Sequence, residues 1–358
     1  MVAVVPTRFC EARLNRVVRS AVAVLAVLAL LAVLHGGAGG GWLAPARASA
    51  PASGPPASTL FAYSDPQISE SSGIAASSFD DTFYTFNDSG DSARFFRVDE
   101  RGRTVAVYSL AGARNVDWED MATGVDESGR HVLYFGDIGD NQHIRKEIAI
   151  YEVLEPRGAS ADVTWTRYRF SYPDGAHDAE ALLVDPRTHR IFIATKELLD
   201  NGKLYQAPDS LSTTSVNVLA SVGSVPPLTT SGDFAPDGSR VVLLTYATAF
   251  WADDVGGAWR RFSVPLPRQA EAIAYSRDGS SVLVGGEGAH SVVYRVPAPA
   301  GGLRPTSAAP SAAVASPATE PVKDQSSSPN FPIAVAVVSF VAVLAGLGAL
   351  VVWRSRNR

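Results

Sequence analysis

Cysteine is almost missing from this chain of 358 residues: Cys10 is the only one, and it precedes the first long apolar run. No disulfide can therefore brace the folded part, which has to be held by its core alone. Familiar catalytic signatures are missing too. There is no Gly-x-Ser-x-Gly elbow, no Gly-x-x-x-x-Gly-Lys phosphate loop, no His-Glu-x-x-His pair and no cysteine-based zinc spacing, which removes the common routes to those chemistries. Gly36 to Gly41 is rich in glycine but follows an apolar core and no strand, so it does not read as a nucleotide loop. Positive charge is short where it would matter for nucleic acid. Positions 51–330 hold 23 of the 31 basic residues and 35 of the 36 acidic ones, a formal charge of −12. Such a field repels nucleic acid and other polyanions and attracts cations, so no nucleic-acid partner is expected.

The two ends carry the long apolar runs. Arg8, Arg13, Arg16 and Arg19 precede an unbroken apolar stretch from Ala21 to Leu34, followed by Ala46-Arg47-Ala48-Ser49-Ala50 with its small-residue cleavage triplets. That layout is a secretory signal over 1–50; the run of about 14 residues is shorter than the roughly 20 a spanning helix needs. Ile333 to Trp353 is apolar throughout and is followed by Arg354-Ser355-Arg356-Asn357-Arg358. Its length suits one transmembrane helix, with the basic tail 354–358 kept in the cytoplasm. Ala298 to Pro332, rich in Pro, Ala and Ser, reads as an extended stalk, and 51–58 as a flexible leader. The expected location is the cell membrane, single-pass, with the folded part on the extracytoplasmic side.

Between them, 59–297 repeats one pattern five times: Ser72-Gly73-Ile74-Ala75, Glu119-Asp120-Met121-Ala122, Glu180-Ala181-Leu182-Leu183, Gly232-Asp233-Phe234-Ala235 and Glu271-Ala272-Ile273-Ala274. Each opens a β-rich unit of about 40 to 60 residues that cannot bury its own apolar face, the signature of a β-propeller. Turn residues divide the units into strands. The first takes Ser72–Ser77, Thr82–Asn87, Arg94–Asp99 and Thr104–Leu110. The second takes Asp117–Gly124, His131–Gly136, Ile148–Leu154 and Thr164–Tyr172, and the third Glu180–Asp185, Arg190–Thr195, Gly202–Gln206 and Ser215–Ala220. The fourth takes Gly232–Ala235, Arg240–Thr245, Ala247–Ala252 and Trp259–Val264. The fifth has only Ala270–Tyr275, Ser281–Gly285 and Ser291–Val296, so Thr59–Tyr63 is expected to complete it and close the ring, which removes the open sheet edges. The fold class is therefore all-β, a five-bladed propeller plus a C-terminal transmembrane helix. Six blades are the alternative, because the second and third repeats are widely spaced. Trp118, Trp165, Trp251 and Trp259 are read as packing between blades.

In such a ring the inner strands and the turns after each second strand converge on the axis. The converging set is Glu119, Glu180 and Glu271 with Asp88, Asp137, Lys196, Tyr246 and Glu287. Carboxylates this close raise one another's pKa unless a cation neutralises them. Asn87-Asp88-Ser89-Gly90-Asp91 and Gly136-Asp137-Ile138-Gly139-Asp140-Asn141 both place Asp-x-Gly-Asp after a strand, with hard oxygens that suit Ca²⁺; ordinary Asx turns are the bland alternative. The expected metal ligands are Asp88, Glu119, Asp137, Asp140, Glu180 and Glu271, and the expected cofactor is a divalent cation, calcium foremost. His177 and Lys196 are the candidate catalytic groups; His143 and His177 read equally well as polar surface.

These same segments, with Asp117-Trp118-Glu119-Asp120-Met121-Ala122 and Asp178-Ala179-Glu180-Ala181-Leu182, resemble the signatures of a group of secreted bacterial propellers. That group is more distantly similar to phytase-like (esterase-like) propellers and to calcium-dependent lactonase and paraoxonase propellers. The resemblance spans Ser69 to Val296 and implies a channel cation held at Glu119, Asp137, Glu180 and Glu271. In the catalytic relatives that ion polarises an ester, lactone or phosphate oxygen. Two features depart from this: Ser72 and Gly232 stand where further ligands would be expected, and only Lys196, Arg145 and Lys146 could serve phosphates. Two readings follow. One is a ligand- or partner-binding module at the cell surface; the other is a metal-dependent hydrolase of an ester, lactone or phosphomonoester.

Overall fold

A computed structural model describes residues 57–299, and these contain strands but no helix. Strand β1 (Ser58–Ala62) opens the described chain and joins the last blade. Blade one is β2 (Ser71–Ala76), β3 (Phe83–Asn87), β4 (Arg94–Val98) and β5 (Thr104–Ser109). Blade two is β6 (Trp118–Val125), β7 (His131–Asp137), β8 (Ile148–Leu154) and, after the short β9 (Ala161–Asp162), β10 (Trp165–Ser171). Blade three is β11 (Ala179–Val184), β12 (Ile191–Thr195), β13 (Gly202–Gln206) and, after β14 (Val216–Val218), β15 (Ala220–Val225). Blade four is β16 (Thr229–Phe234), β17 (Val241–Thr245), β18 (Ala249–Ala252) and β19 (Arg260–Phe262). Blade five is β20 (Ala270–Tyr275), β21 (Ser281–Gly286) and β22 (Val292–Pro297), with β1 antiparallel on β22. The ring has five blades and is closed by the N-terminal strand.

Burial explains the strand order. Second strands such as Phe83–Asn87 and Val241–Thr245 are buried at every position, as a strand covered on both faces must be. Outer strands are mixed, as in Trp165–Ser171. At the hairpin of blade two, Gly129 takes φ 74°, while Asp126 Oδ1 accepts the Ser128 and Arg130 amides at 2.9 Å. Glycine enters that left-handed turn without a steric penalty.

The apolar core is five clusters, one at each junction between neighbouring blades. The junction of blades one and two is the most aromatic: Trp118 is fully buried and stacks on Phe135 at 5.1 Å, with Phe86 edge-on at 5.6 Å. Trp251 packs in the junction of blades four and five under the Arg260 guanidinium, 4.7 Å from its ring centre. Trp165 and Trp259 are partly buried against their clusters.

Two expected strand assignments change. The outer strand of blade three is Ala220–Val225, not Ser215–Ala220. The 216–218 segment instead lies parallel against β10 of blade two, pinned by Asn217 Nδ2, which donates to Arg169 O and Ser212 O. Likewise β9 leaves blade two to lie parallel on β5 of blade one. Each extra strand thus satisfies part of a neighbour's exposed edge. In blade four the inner strand starts at Thr229, three residues before the expected Gly232. No helix among the described residues is long and apolar enough to cross a membrane. The expected signal (1–50), the stalk (298–332) beyond Ala298 and Pro299, the transmembrane helix (333–353) and the basic tail (354–358) lie outside the described residues.

Candidate metal centre

At the start of each inner strand the ladder to its second strand slips by one residue. The slips fall between Ser71/Gly73, Trp118/Asp120, Ala179/Ala181, Thr229/Ser231 and Ala270/Ala272. A bulge leaves one residue out of the pairing and re-aims its side chain. The bulged residues are Ser72, Glu119, Glu180, Thr230 and Glu271, one per blade. Thr230 therefore holds the place that the sequence pattern gave to Gly232. Gly232 faces the core: a Cβ there would lie 2.6 Å from Leu243 Cδ2 and 3.0 Å from Leu183 Cδ2.

The same register defines two further rings. Residues just before the inner strands are Glu70, Asp117, Asp178, Leu228 and Gln269; residues just after the second strands are Asp88, Ile138, Lys196, Tyr246 and Glu287. Carboxyl groups thus outnumber the Lys196 ammonium eight to one at this upper mouth.

Within it the carboxyls divide by partner. Glu180 and Asp178 both hold Lys196, whose Nζ lies 3.4 Å from Asp178 Oδ2 and closer still to Glu180 Oε1. Glu271 accepts the Tyr246 hydroxyl at 3.1 Å. Burial, then the field and hydrogen bond of Glu287, push the Glu271 carboxyl well above the usual range. Glu287 itself takes the Gln269 side-chain amide.

Glu70 is exposed at the rim, and Asp88, Asp117 and Glu119 form the last group, each offering a carboxylate oxygen, all within 4.8 Å of one another. Glu119 is 94% buried as a residue. Burial first, then Asp88 and Asp117, raise its pKa well above normal, with Lys196 opposing. Burial likewise pushes Asp88 up to about 7 and raises Asp117. Gly139 lies against the same group. A Cβ at that position would collide with Glu119 Oε1 and sit 2.6 Å from Asp117 Oδ2, so a larger residue there would push these carboxylates aside.

Asp137 and Asp140 are placed elsewhere. Register pairs Asp137 with Trp118 as it pairs Asn87 with Ser71, so Asp137 corresponds to Asn87 and not to Asp88. The two Asp-x-Gly-Asp runs are offset by one residue. Asn87 Oδ1 accepts the Ser69 amide, and Asp137 Oδ1 accepts the Asp117 amide and the Arg145 guanidinium at 2.8 Å. Both tie down the segment leading into an inner strand. Asp140 Oδ2 accepts the Arg145 amide. Arg145, which also donates to Gly139 O, thereby braces the loop behind the carboxylate group.

His177 sits beside blade three, its Nε2 2.9 Å from the Tyr205 hydroxyl and 3.1 Å from Asp174, with Tyr172 edge-on. His143 is exposed.

Deeper along the axis lies a group the repeat pattern did not single out. Asp120 is fully buried and accepts the amides of Met121 at 2.9 Å, Leu182 at 3.0 Å and Gly232 at 3.2 Å, together with the Ser231 hydroxyl at 3.1 Å. Ser231 Oγ in turn accepts the Ile273 amide at 3.0 Å. Inner strands are sheet edges with amides that the ladder leaves free, and one carboxylate satisfies those of blades three and four. Burial pushes this carboxyl well up, against those four hydrogen bonds.

Strand order and mouth together define a closed five-bladed β-propeller with an acidic upper opening. Among solved structures, one titled "Structure of U3-55K" is 9% identical over 67% of this chain and 98% of that one, with a TM-score of 0.36. A chain of the "Nidogen/Laminin Complex" is 14% identical over 61% and 73%, with a TM-score of 0.38. At these values neither likeness carries an inference about this chain. No protein-family model and no curated protein sequence matches the chain.

Proposed function

We propose that this chain is a membrane-anchored extracytoplasmic propeller that binds a ligand or partner protein at its upper mouth, where Asp88, Asp117 and Glu119 hold a divalent cation. The observation that carries this reading is the cluster of three carboxylates, Asp88, Asp117 and Glu119, whose oxygens lie within 4.8 Å of one another. Leaving such a group uncompensated is costly, and a hard cation with oxygen ligands is the partner that suits it, calcium foremost. The space that Gly139 keeps beside these oxygens supports the same conclusion. Bound there, the ion would supply a positive centre able to take oxygen atoms of a ligand.

The hydrolase reading, an ester, lactone or phosphomonoester substrate, has less support from the side chains. Lys196 is committed to Glu180 and Asp178, and His177 to Tyr205 and Asp174, so neither is set beside the carboxylate group as a free acid or base. Metal-dependent turnover of p-nitrophenyl ester or phosphate panels, lost in Glu119→Gln, would restore it.

The direct test is calorimetric titration of the purified full chain with Ca²⁺, alongside melting with and without chelator. Ion at a hundred times its Kd stabilises a native state by about 2.7 kcal/mol. An unchanged melting point removes the cation from the reading. Surface proteolysis of intact cells tests the location: an extracytoplasmic propeller is shaved, and a protected one would place it inside.

A further inference from the structure

The inner strands end at the lower face, and around their last residues lies a cavity of about 410 Å³, within the roughly 300–1,000 Å³ typical of small-molecule sites. All five blades supply its wall, through Ala75, Met121, Val184, Phe234 and Tyr275. None of the acidic rings at the upper mouth lines it.

One carboxylate stands in this wall. Asp233 Oδ1 accepts the Phe234 amide and Oδ2 the Tyr275 amide, both at 2.8 Å. Each oxygen keeps a lone pair for a further donor. The two basic side chains at the cavity are used or peripheral: Arg277 pairs with Asp81 at 2.8 Å, and His131 is exposed and edge-on to Phe79 at 5.0 Å.

We propose that the lower cavity binds a small organic ammonium ion, with Asp233 as counter-charge and the apolar wall packed on its carbon skeleton. A hard metal ion would want several oxygen ligands, and this wall offers one carboxylate. An anion would meet Asp233 unfavourably, and a neutral apolar guest would bury the carboxylate's charge with only its two amide hydrogen bonds to offset it. Burial already pushes the Asp233 carboxyl up to about 7 despite its two amide hydrogen bonds. A cation seated against it favours the ionised form.

Titration of the purified full chain with n-hexylammonium at pH 8, followed by calorimetry, reads this directly. One equivalent should bind, hexan-1-ol at least tenfold more weakly, and Asp233→Asn should weaken the amine at least tenfold. Glu119→Gln should leave amine binding unchanged, since it alters only the opposite mouth. Thr123→Phe, at a half-buried position on the cavity wall, should abolish binding and serves if Asp233→Asn fails to fold. Absence of amine binding, equal affinity for the alcohol, indifference to Asp233→Asn or to Thr123→Phe, or loss in Glu119→Gln would each overturn the proposal.

Discussion

The two ends of the propeller axis are made by the same five strands, yet their chemistry is opposite. At the upper mouth the bulges and flanking turns gather eight carboxyl groups around one ammonium; at the lower one, a mixed wall of apolar and hydroxyl side chains carries the single Asp233 carboxylate. The difference comes from position within the strand. Where the ladder slips, polar side chains are turned into a shared opening; where it runs regularly, strand alternation sets compact residues inward. Asp120 lies between the two, and its bonds to blades three and four make it the common foundation of both ends.

The largest effect should come from that foundation. Asp120→Ala leaves three amides and the Ser231 hydroxyl without their acceptor, and unsatisfied buried groups cost about 1–3 kcal/mol each. Denaturant unfolding should show a loss of at least about 3 kcal/mol, with ligand responses at both mouths impaired. A loss below about 1 kcal/mol would mean that the two ends stand independently.

Gly139→Ala should separate the ends. Its added methyl group meets the Glu119 and Asp117 carboxylates, so the Ca²⁺-dependent rise in melting temperature should disappear while amine binding below persists. Loss of both responses would show that the substitution disturbs more than the upper mouth.

Acidity sharpens the same contrast. The folded pKa of Asp88 is raised to about 7, above its unfolded value of about 4, so in that window the folded chain holds a proton the unfolded chain has released. Without cation, this group's stabilising contribution is fully present below pH 4 and is lost as pH rises through about 7. Cation binding must displace that proton. Calcium affinity should therefore be at least tenfold weaker at pH 5.5 than at pH 8, with protons released on binding in calorimetry across buffers of different ionisation enthalpy. A flat pH profile would remove Asp88 from the ligand set.

The smallest effect belongs to the lower rim. Arg277→Ala breaks an exposed ion pair with Asp81 and should change stability by less than about 0.5 kcal/mol.

Much of this architecture was legible in the chain. Turn residues and apolar runs located nearly every strand, and the shortage of one strand in the fifth unit pointed to the N-terminal segment that β1 supplies. Asp88 and Glu119 were also legible, because they flank recognisable strands. Asp117 was hidden: it precedes Trp118 in the same motif, but only the fold brings it beside Asp88 of another blade. The likeness between Asp88-Ser89-Gly90-Asp91 and Asp137-Ile138-Gly139-Asp140 pointed to equivalent roles, and register offset them by one residue.

Local composition alone determined that this chain makes short, punctuated strands in five units that must bury their faces against one another, because alternation and turn chemistry act over a few residues. Which side chains face which opening was decided by tertiary structure. A bulge moves a residue out of its ladder, as Thr230 shows, and Asp120 finds its amide donors in blades about 60 and 110 residues away. The first depends on pairing register and the second on contacts between blades, and neither is encoded in a local pattern.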